Sequence, residues 1–201
     1  MIKAVYFDLG NVILPVDGFR MANVLTRYCK QTPDRILESF WNHHIIENFE
    51  MGKVSPADFF AHIKTSCDIT NLTLDEFVPI FNDIFDEDKR VSTLVTQIKK
   101  TCKLGLISNT NAIHVAHLLK TYPIMQVFDH LWLSNEVGVR KPDPAIYKMA
   151  ISKFGVEPSE TVFIDDLSAN IDSANAVGMN GIHYQNYVQL VQDLKKLGVM
   201  N

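Results

Sequence analysis

Four short polar segments of this sequence hold the residues with the most distinctive chemistry. They are Asp8, Ser108-Asn109-Thr110, Arg140-Lys141-Pro142-Asp143 and Asp165-Asp166. A carboxylate such as Asp8 can attack a phosphate ester and form an acyl phosphate, which divides one difficult hydrolysis into two easier steps. The approach of this anion to an anionic phosphoryl group requires nearby positive charge and hydrogen-bond donors. Lys141, Ser108 and a bound Mg²⁺ could supply both.

These segments, together with Gly10, contain oxygen ligands suited to Mg²⁺. This ion is usually held by one or two carboxylates together with carbonyl, water and substrate oxygens. Asp8, Asp166 and the carbonyl of Gly10 would form such a set if the chain brought them together. The sequence therefore predicts a magnesium site that depends on how the preceding elements are arranged.

The apolar runs that precede these residues are predicted strands. Residues 2–7 are mostly β-branched or aromatic and are followed by Asp8 and Gly10, which is typical of a buried strand that ends in a loop. Further strands are predicted at 103–107, 131–133, 161–164 and 181–183, and helices at 89–100, 111–120, 144–154, 168–176 and before Gly198. This alternation predicts an α/β fold with a doubly wound parallel sheet. Ligands bind such sheets beyond the carboxyl ends of the strands, where the polar segments lie.

The segment between the first two strands has a different pattern. Apolar residues recur there at spacings of three and four, and Thr32-Pro33 and Ser55-Pro56 are typical helix starts. We therefore expect an all-helical insertion at 16–88. The remainder, 1–15 and 89–201, would form the α/β core domain.

Composition excludes several classes of protein. The 201 residues are 47% hydrophobic and carry a formal net charge of −4, as in ordinary globular proteins. Because 23 acidic residues outnumber 19 basic ones and no basic stripe is present, a nucleic-acid partner is not expected. The three cysteines lack a C-x-x-C spacing, and the first apolar run is far shorter than the ~20 residues of a membrane span. These features predict a cytoplasmic protein without a membrane partner.

Four motifs together resemble those of the haloacid dehalogenase superfamily. They are FDLGNV at 7–12, LISNTN at 106–111, RKPD at 140–143 and VFIDDLSAN at 162–170. Their order and spacing cover nearly the whole chain. The sequence is most similar to the group with a small helical cap inserted after the first motif, close to bacterial glucose-1-phosphatase-like phosphatases. The resemblance thus implies a Rossmann-like core with 16–88 as its cap domain.

The resemblance also implies roles for individual residues. Asp8 would be the nucleophile, and Lys141 would neutralise charge. The phosphoryl oxygens would be held by the amides of Leu9, Gly10 and Asn109 and by the hydroxyl of Ser108. Mg²⁺ would be bound by Asp8, Gly10 and Asp166, with Asp165 acting directly or through water, and Asn170 would fix the acidic loop. The expected reaction is hydrolysis of a small phosphorylated metabolite, such as a sugar phosphate, through an aspartyl phosphate.

Gly10 departs from the phosphatase pattern. Phosphatases of the superfamily usually have a second aspartate at this position, which protonates the leaving alcohol. Dehalogenases of the superfamily also lack it, but they need no metal and would not be expected to carry the acidic pair Asp165-Asp166. A third alternative is a weakened protein that binds a phosphorylated ligand without turnover, although the presence of Asp8, Ser108, Lys141 and Asp166 argues against it.

Selectivity for the substrate is expected to come from the helical insertion. Its polar candidates are Asp17, Arg20, His43, His44 and Glu47, and Trp41 and Phe49 are candidate walls of a substrate pocket.

Overall fold

The computed structural model describes residues 1–41 and 44–200 and contains a five-stranded parallel sheet. The strands are β1 (Ala4–Phe7), β2 (Lys103–Ser108), β3 (His130–Leu133), β4 (Thr161–Asp165) and β5 (Asn180–His183). Their order in the sheet is β3-β2-β1-β4-β5, so β1 is central. Because β2 and β4 pair with β1 on either side, the residues that follow these three strands meet at one edge.

In the described part of the chain, six α-helices accompany the later strands. They are α6 (Lys89–Ile98), α7 (Ala112–Thr121), α8 (Ser134–Val137), α9 (Pro144–Phe154), α10 (Ser168–Ala176) and α11 (Tyr187–Lys196). Alternate residues of β1 enter two different hydrophobic clusters, as expected when both faces of a sheet are covered. Val5 and Phe7 pack with α6, α7 and α11, whereas Ala4 and Tyr6 pack with α9 and α10. The predicted doubly wound α/β fold is confirmed.

Among the described residues, five helices lie between β1 and α6. They are α1 (Gly18–Leu25), α2 (Pro33–Trp41), α3 (His44–Glu50), α4 (Pro56–Ser66) and α5 (Leu74–Asn82). They enclose a hydrophobic cluster of their own, in which Phe49 and Phe59 stack at 4.3 Å between ring centroids. At the base of this segment Val16 and Phe85 form an antiparallel bridge, which brings its two connections to the core side by side.

Side chains cap the starts of α4, which was predicted at Ser55-Pro56, and of α5, for which no start was predicted. Ser55 accepts a hydrogen bond from the amide of Asp58, which satisfies one of the free donors at the start of α4, and Pro56 occupies the first turn. At α5, Thr73 and Glu76 form a reciprocal capping box. No helix among residues 1–41 and 44–200 has the length and apolar character required to cross a bilayer.

Gly105 allows large aromatic side chains to pack across the central strands. A Cβ atom at this position would lie 2.4 Å from Cδ1 of Tyr6 and 2.9 Å from Cζ3 of Trp132. The ring of Tyr6 therefore packs against Gly105, and its hydroxyl donates a hydrogen bond to the carbonyl of Ala150 in α9. The absent side chain thus sets how closely α9 approaches the sheet.

We expect Gly105→Ala to lower the free energy of unfolding by about 1–3 kcal/mol, because the methyl group would displace two buried rings. Urea unfolding measures this loss. Val188→Ala, at an exposed position of α11, is the control and should change stability by less than about 0.5 kcal/mol. Equal stability of the two variants would contradict the packing argument.

Candidate active site

A buried lysine joins two carboxylates at the carboxyl edge of the sheet. The Nζ atom of Lys141 lies 2.7 Å from Oδ1 of Asp8 and 2.7 Å from Oδ2 of Asp165. Asp8 directly follows β1, Asp165 ends β4, and Lys141 lies in the loop before α9. Only 2% of the surface of Lys141 is exposed, so this ion-paired cluster is largely shielded from solvent.

Burial and charge act in opposite directions on these groups. Burial raises the pKa of Asp8 above its ordinary value, and the positive charge of Lys141 opposes this rise. For Lys141, burial disfavours the charged form, but the two neighbouring carboxylates outweigh it and raise the pKa of the ammonium. Lys141 therefore remains positively charged, and it favours the ionised form of Asp8.

Asp165 is fully occupied by contacts within the protein. Besides its ion pair, it accepts hydrogen bonds from the amide of Leu167 at 2.8 Å and from Nδ2 of Asn170 at 2.9 and 3.0 Å. Asn170 lies in the first turn of α10 and is itself buried. The structure thus brings Asn170 onto the acidic loop, and its contacts fix the orientation of Asp165 toward Lys141.

Asn109 holds the backbone of Lys141. Its Oδ1 accepts from the amide of Lys141 at 2.8 Å, and its Nδ2 donates to the carbonyl of the same residue at 2.9 Å. The sequence predicts a role for the backbone amide of Asn109, but it gives no indication of this side-chain contact. Ser108, which ends β2, is 3% exposed, so its hydroxyl lies at the same buried edge.

The loop after β1 reaches the second residue of the acidic pair through Asn11. Asn11 has a left-handed backbone conformation, with a φ of 55°, and its Nδ2 donates to Oδ2 of Asp166 at 3.3 Å. Its Oδ1 accepts from the amide of Val16, which closes the loop. No role for Asn11 is predicted from the sequence. The sequence feature that could have indicated this turn is the asparagine after Gly10, because asparagine tolerates a left-handed backbone conformation better than most residues do.

Three carboxylates could hold a metal ion. Oxygen atoms of Asp8, Asp165 and Asp166 all lie within 4.8 Å of one another. This donor set suits a hard cation such as Mg²⁺. Partial burial and the nearby charge of Asp165 raise the pKa of Asp166, so a divalent cation beside it would stabilise the ionised form. The contacts from the Leu9 amide and Lys141 to Asp8 both fall on Oδ1, and Oδ2 receives no hydrogen bond from the described residues.

Arg140 connects the core to the helical insertion. Its guanidinium lies 3.0 Å from Oε1 of Glu47 and 2.9 Å from Oε2 of Glu50, both in α3. Arg140 precedes Lys141 in the chain, so this ion pair links α3 to the loop that carries the buried ammonium. Neither Arg140 nor Glu50 was predicted as a functional residue. Their charges alone gave no sign that the fold pairs them.

The other selectivity candidates lie in several environments. Asp17 caps α1, Arg20 pairs with Asp86, and His44 is exposed beside Glu47. Phe49 is buried in the hydrophobic cluster of the insertion, whereas Trp41 lines a cavity that also borders Ser108 and Asn109. His43 lies outside the described residues.

Residues 2–178 match the family of haloacid dehalogenase-like hydrolases. This match covers most of the sequence, and the chain therefore belongs to that family. The family membership predicted from the four motifs is confirmed, and the chain is a hydrolase of the haloacid dehalogenase type.

Individual relatives cover almost the full length of the chain. A D-ribitol-5-phosphate phosphatase of Bacteroides thetaiotaomicron is 28% identical over 96% of this chain and 97% of its own. A sesquiterpene phosphatase of Aspergillus oryzae is 24% identical over 97% of this chain and 96% of its own. Among solved structures, a family member from Bacteroides thetaiotaomicron in complex with magnesium and inorganic phosphate superposes with a TM-score of 0.82. That structure is 25% identical and covers 94% of this chain and 99% of its own.

We expect Lys141→Met to lower the free energy of unfolding by about 3–5 kcal/mol, because it leaves two buried carboxylates without their positive partner. Chemical unfolding at neutral pH measures the change. Lys148→Met, at an exposed position of α9, is the matched control and should stay within about 0.5 kcal/mol of the parent. A loss below about 1 kcal/mol in Lys141→Met would show that the ion pairs contribute little to folding.

Proposed function

We propose that this protein is a Mg²⁺-dependent phosphatase that hydrolyses small phosphate monoesters with Asp8 as nucleophile. The observation that carries the proposal is the ion pair between Asp8 and the buried Lys141, with Asp166 beside it. The positive charge of Lys141 opposes the rise in the pKa of Asp8 that burial causes, at the point where three strands end. Lys141 also provides a fixed positive charge for an incoming phosphoryl group.

In the first step, a carboxylate oxygen of Asp8 attacks phosphorus. The bond between phosphorus and the ester oxygen breaks, and the oxygen leaves as an alkoxide with the electron pair of that bond and then takes a proton from solvent. Lys141 neutralises charge on the transferring group, while the hydroxyl of Ser108 and the amides of Leu9, Gly10 and Asn109 donate to its oxygens. Water then attacks phosphorus, releases inorganic phosphate and restores Asp8.

The residues present fit a magnesium ion. We assign its ligands to Asp8, Asp166 and the carbonyl of Gly10, with Asp165 contributing through water because both of its oxygens are engaged within the protein. When bound, Mg²⁺ stabilises negative charge on the transferring phosphoryl group. Asn11 would position Asp166, and Asn170 would position Asp165.

We further propose that residues 16–88 form a cap domain over a core domain of 1–15 and 89–201. The separate hydrophobic cluster of α1–α5 supports this division, as does the bridge between Val16 and Phe85. A cap in this place would supply the contacts to the organic part of the substrate. The Bacteroides relative supports the expected sugar phosphate, whereas the Aspergillus relative is named for a terpene substrate, so we propose the broader class of small phosphomonoesters.

A second candidate function is binding of a phosphorylated ligand without turnover. Gly10 favours it, because glycine cannot protonate a leaving alcohol and the loss of such a general acid typically lowers rates by about 10² to 10⁴. A dehalogenase is disfavoured by the metal-binding geometry of Asp8 and Asp166. Hydrolysis of 2-chloropropionate, with no release of phosphate from any ester, would nevertheless establish that activity.

We expect Asp166→Asn to raise the Mg²⁺ concentration needed for half-maximal phosphatase activity by at least about tenfold, because loss of even an indirect metal partner has effects of this size. The assay measures phosphate release from a panel of sugar, polyol and aryl phosphates during magnesium titration.

Asp8→Asn keeps the size of the side chain and should abolish turnover, because it removes the proposed nucleophile.

Asp172→Asn, at an exposed position of α10, is the matched control for Asp166→Asn and should titrate like the parent. Equal activity of Asp166→Asn and the parent in the presence of a chelator would disprove the metal role. Formation of an acid-labile phosphoryl adduct by Asp8→Asn would disprove the assignment of the nucleophile.

We expect Gly10→Asp to help poor leaving groups most. In the parent, rates across a series of aryl phosphates should fall steeply as the pKa of the leaving group rises, since the departing oxygen must carry its own charge. The new carboxyl should flatten this slope and raise the slowest rates by up to about 10². The site has room for it, because a Cβ atom at Gly10 would lie 3.5 Å from Cγ2 of Val16, an ordinary contact.

A parent enzyme whose rates barely depend on the leaving group would show that another group already donates the proton. Magnesium titration of Gly10→Asp must first give an affinity close to that of the parent, so that the slopes compare intact sites.

A further inference from the structure

A cavity lies between the helical insertion and the loops that follow β1 and β2. We call it the cap cavity. Its floor is formed by Leu9, Gly10, Ser108 and Asn109, and its volume is about 120 Å³. The amides of three of these residues and the hydroxyl of Ser108 are those assigned above to the phosphoryl group. The organic part of a bound ester would therefore extend from the phosphate site into the cap cavity.

The walls of the cap cavity are predominantly apolar. They include the side chains of Val16, Met21, Trp41, Phe81, Ile84 and Phe85. Met21, Trp41 and Phe81 lie in α1, α2 and α5. Val16 precedes α1, and Ile84 and Phe85 follow α5, so these six residues lie in the helical insertion or at its base. A wall of this kind stabilises an apolar ligand by removing its surface from water.

Three polar side chains at the edge of the cap cavity are engaged within the protein. Glu50 pairs with Arg140, and the side chain of Asn109 holds the Lys141 backbone. Oδ1 of Asn111 accepts the amides of Ile113 and His114 at the start of α7.

The side chain of His114, which also lines the cap cavity, is likewise engaged within the protein. Its Nδ1 hydrogen bonds to Oδ1 of Asn82 at 2.9 Å, and its ring stacks on Phe81. Burial lowers the pKa of His114 to about 3, so the ring is neutral at physiological pH. Among the described residues, the cavity thus presents no unpaired charge to a ligand.

Size limits the ligand further. An apolar protein cavity of about 150 Å³ accommodates benzene. At about 120 Å³, the cap cavity matches one small ring or a branched chain of similar volume. A polyol chain that filled this volume would bring several hydroxyl groups into contact with Val16, Met21 and Ile84. Each hydroxyl left without a hydrogen-bond partner would weaken binding.

We infer that the cap cavity selects phosphomonoesters whose organic part is apolar and about the size of one six-membered ring. This inference rests on the proposed phosphatase function and narrows its substrate class. Polyol and sugar phosphates would be the poorer substrates, because their hydroxyl groups would lose water without gaining partners.

The test compares benzyl phosphate with D-ribitol 5-phosphate in the presence of Mg²⁺. Both esters release a primary alcohol, so the comparison reports mainly on contacts to the organic part. We expect kcat/KM to be at least about tenfold higher for benzyl phosphate, the size of effect that a single apolar pocket can give. Equal values, or a higher value for ribitol phosphate, would overturn the inference while leaving the phosphatase function intact.

A conservative variant locates the effect in the cap cavity. Met21→Gln keeps the length of the side chain but adds an amide to the wall, and it should lower the ratio of the two kcat/KM values about tenfold. Met149→Gln, at an exposed position of α9, is the matched control and should leave this ratio unchanged. An unchanged ratio in a folded Met21→Gln, checked by circular dichroism, would place the selectivity elsewhere and overturn the inference.

Binding measurements separate this inference from the proposed reaction. Calorimetry with benzylphosphonate and methylphosphonate, in the presence of Mg²⁺, requires no turnover. A Kd at least about tenfold lower for benzylphosphonate supports an apolar site, even if no ester is hydrolysed and the phosphatase proposal fails. Equal Kd values would overturn the inference whatever the enzyme hydrolyses.

Discussion

The ammonium of Lys141, enclosed between Asp8 and Asp165, is the interaction on which the rest of the site depends. Removing such charges from water costs several kcal/mol per ion, and only close geometry and further hydrogen bonds offset that cost. The protein supplies both, with contacts of 2.7 Å to each carboxylate and additional donors from Leu9 and Asn170. The surrounding loops must therefore keep these positions, because any displacement would leave a buried charge uncompensated.

This requirement explains why side-chain amides recur around the site. Asn109 holds the backbone of Lys141, Asn170 holds Asp165, and Asn11 connects the first loop to Asp166. Asn109 and Asn11 join segments that are distant in the chain, and Asn170 joins the start of α10 to the end of β4. A neutral amide can donate and accept at once, so it fixes these loops without adding charge to a cluster that already contains three carboxylates.

Much of the fold followed from the sequence because the apolar runs have the length and spacing of buried strands and amphipathic helices. The parallel order of β1, β2 and β4 then places Asp8, Ser108 and Asp165 together, since strand ends meet at one edge. The contacts of individual side chains could not be predicted from the sequence in the same way. Arg140 is separated from Glu50 by 90 residues and from Glu47 by 93, and the fold alone determines that approach. The apolar character of the cap cavity was also hidden, because its walls come from several helices whose packing the sequence pattern does not specify.

The ion pairs of Arg140 make the helical insertion and the lysine loop thermodynamically linked. Arg140 is bonded through its peptide to Lys141, so a shift of α3 relative to the sheet strains the backbone that positions the ammonium. Linkage of this kind is reciprocal: whatever ligand favours one arrangement of α3 must itself bind more tightly when α3 is held there. Whatever stabilises this position of α3 therefore also stabilises the backbone that carries the buried ammonium.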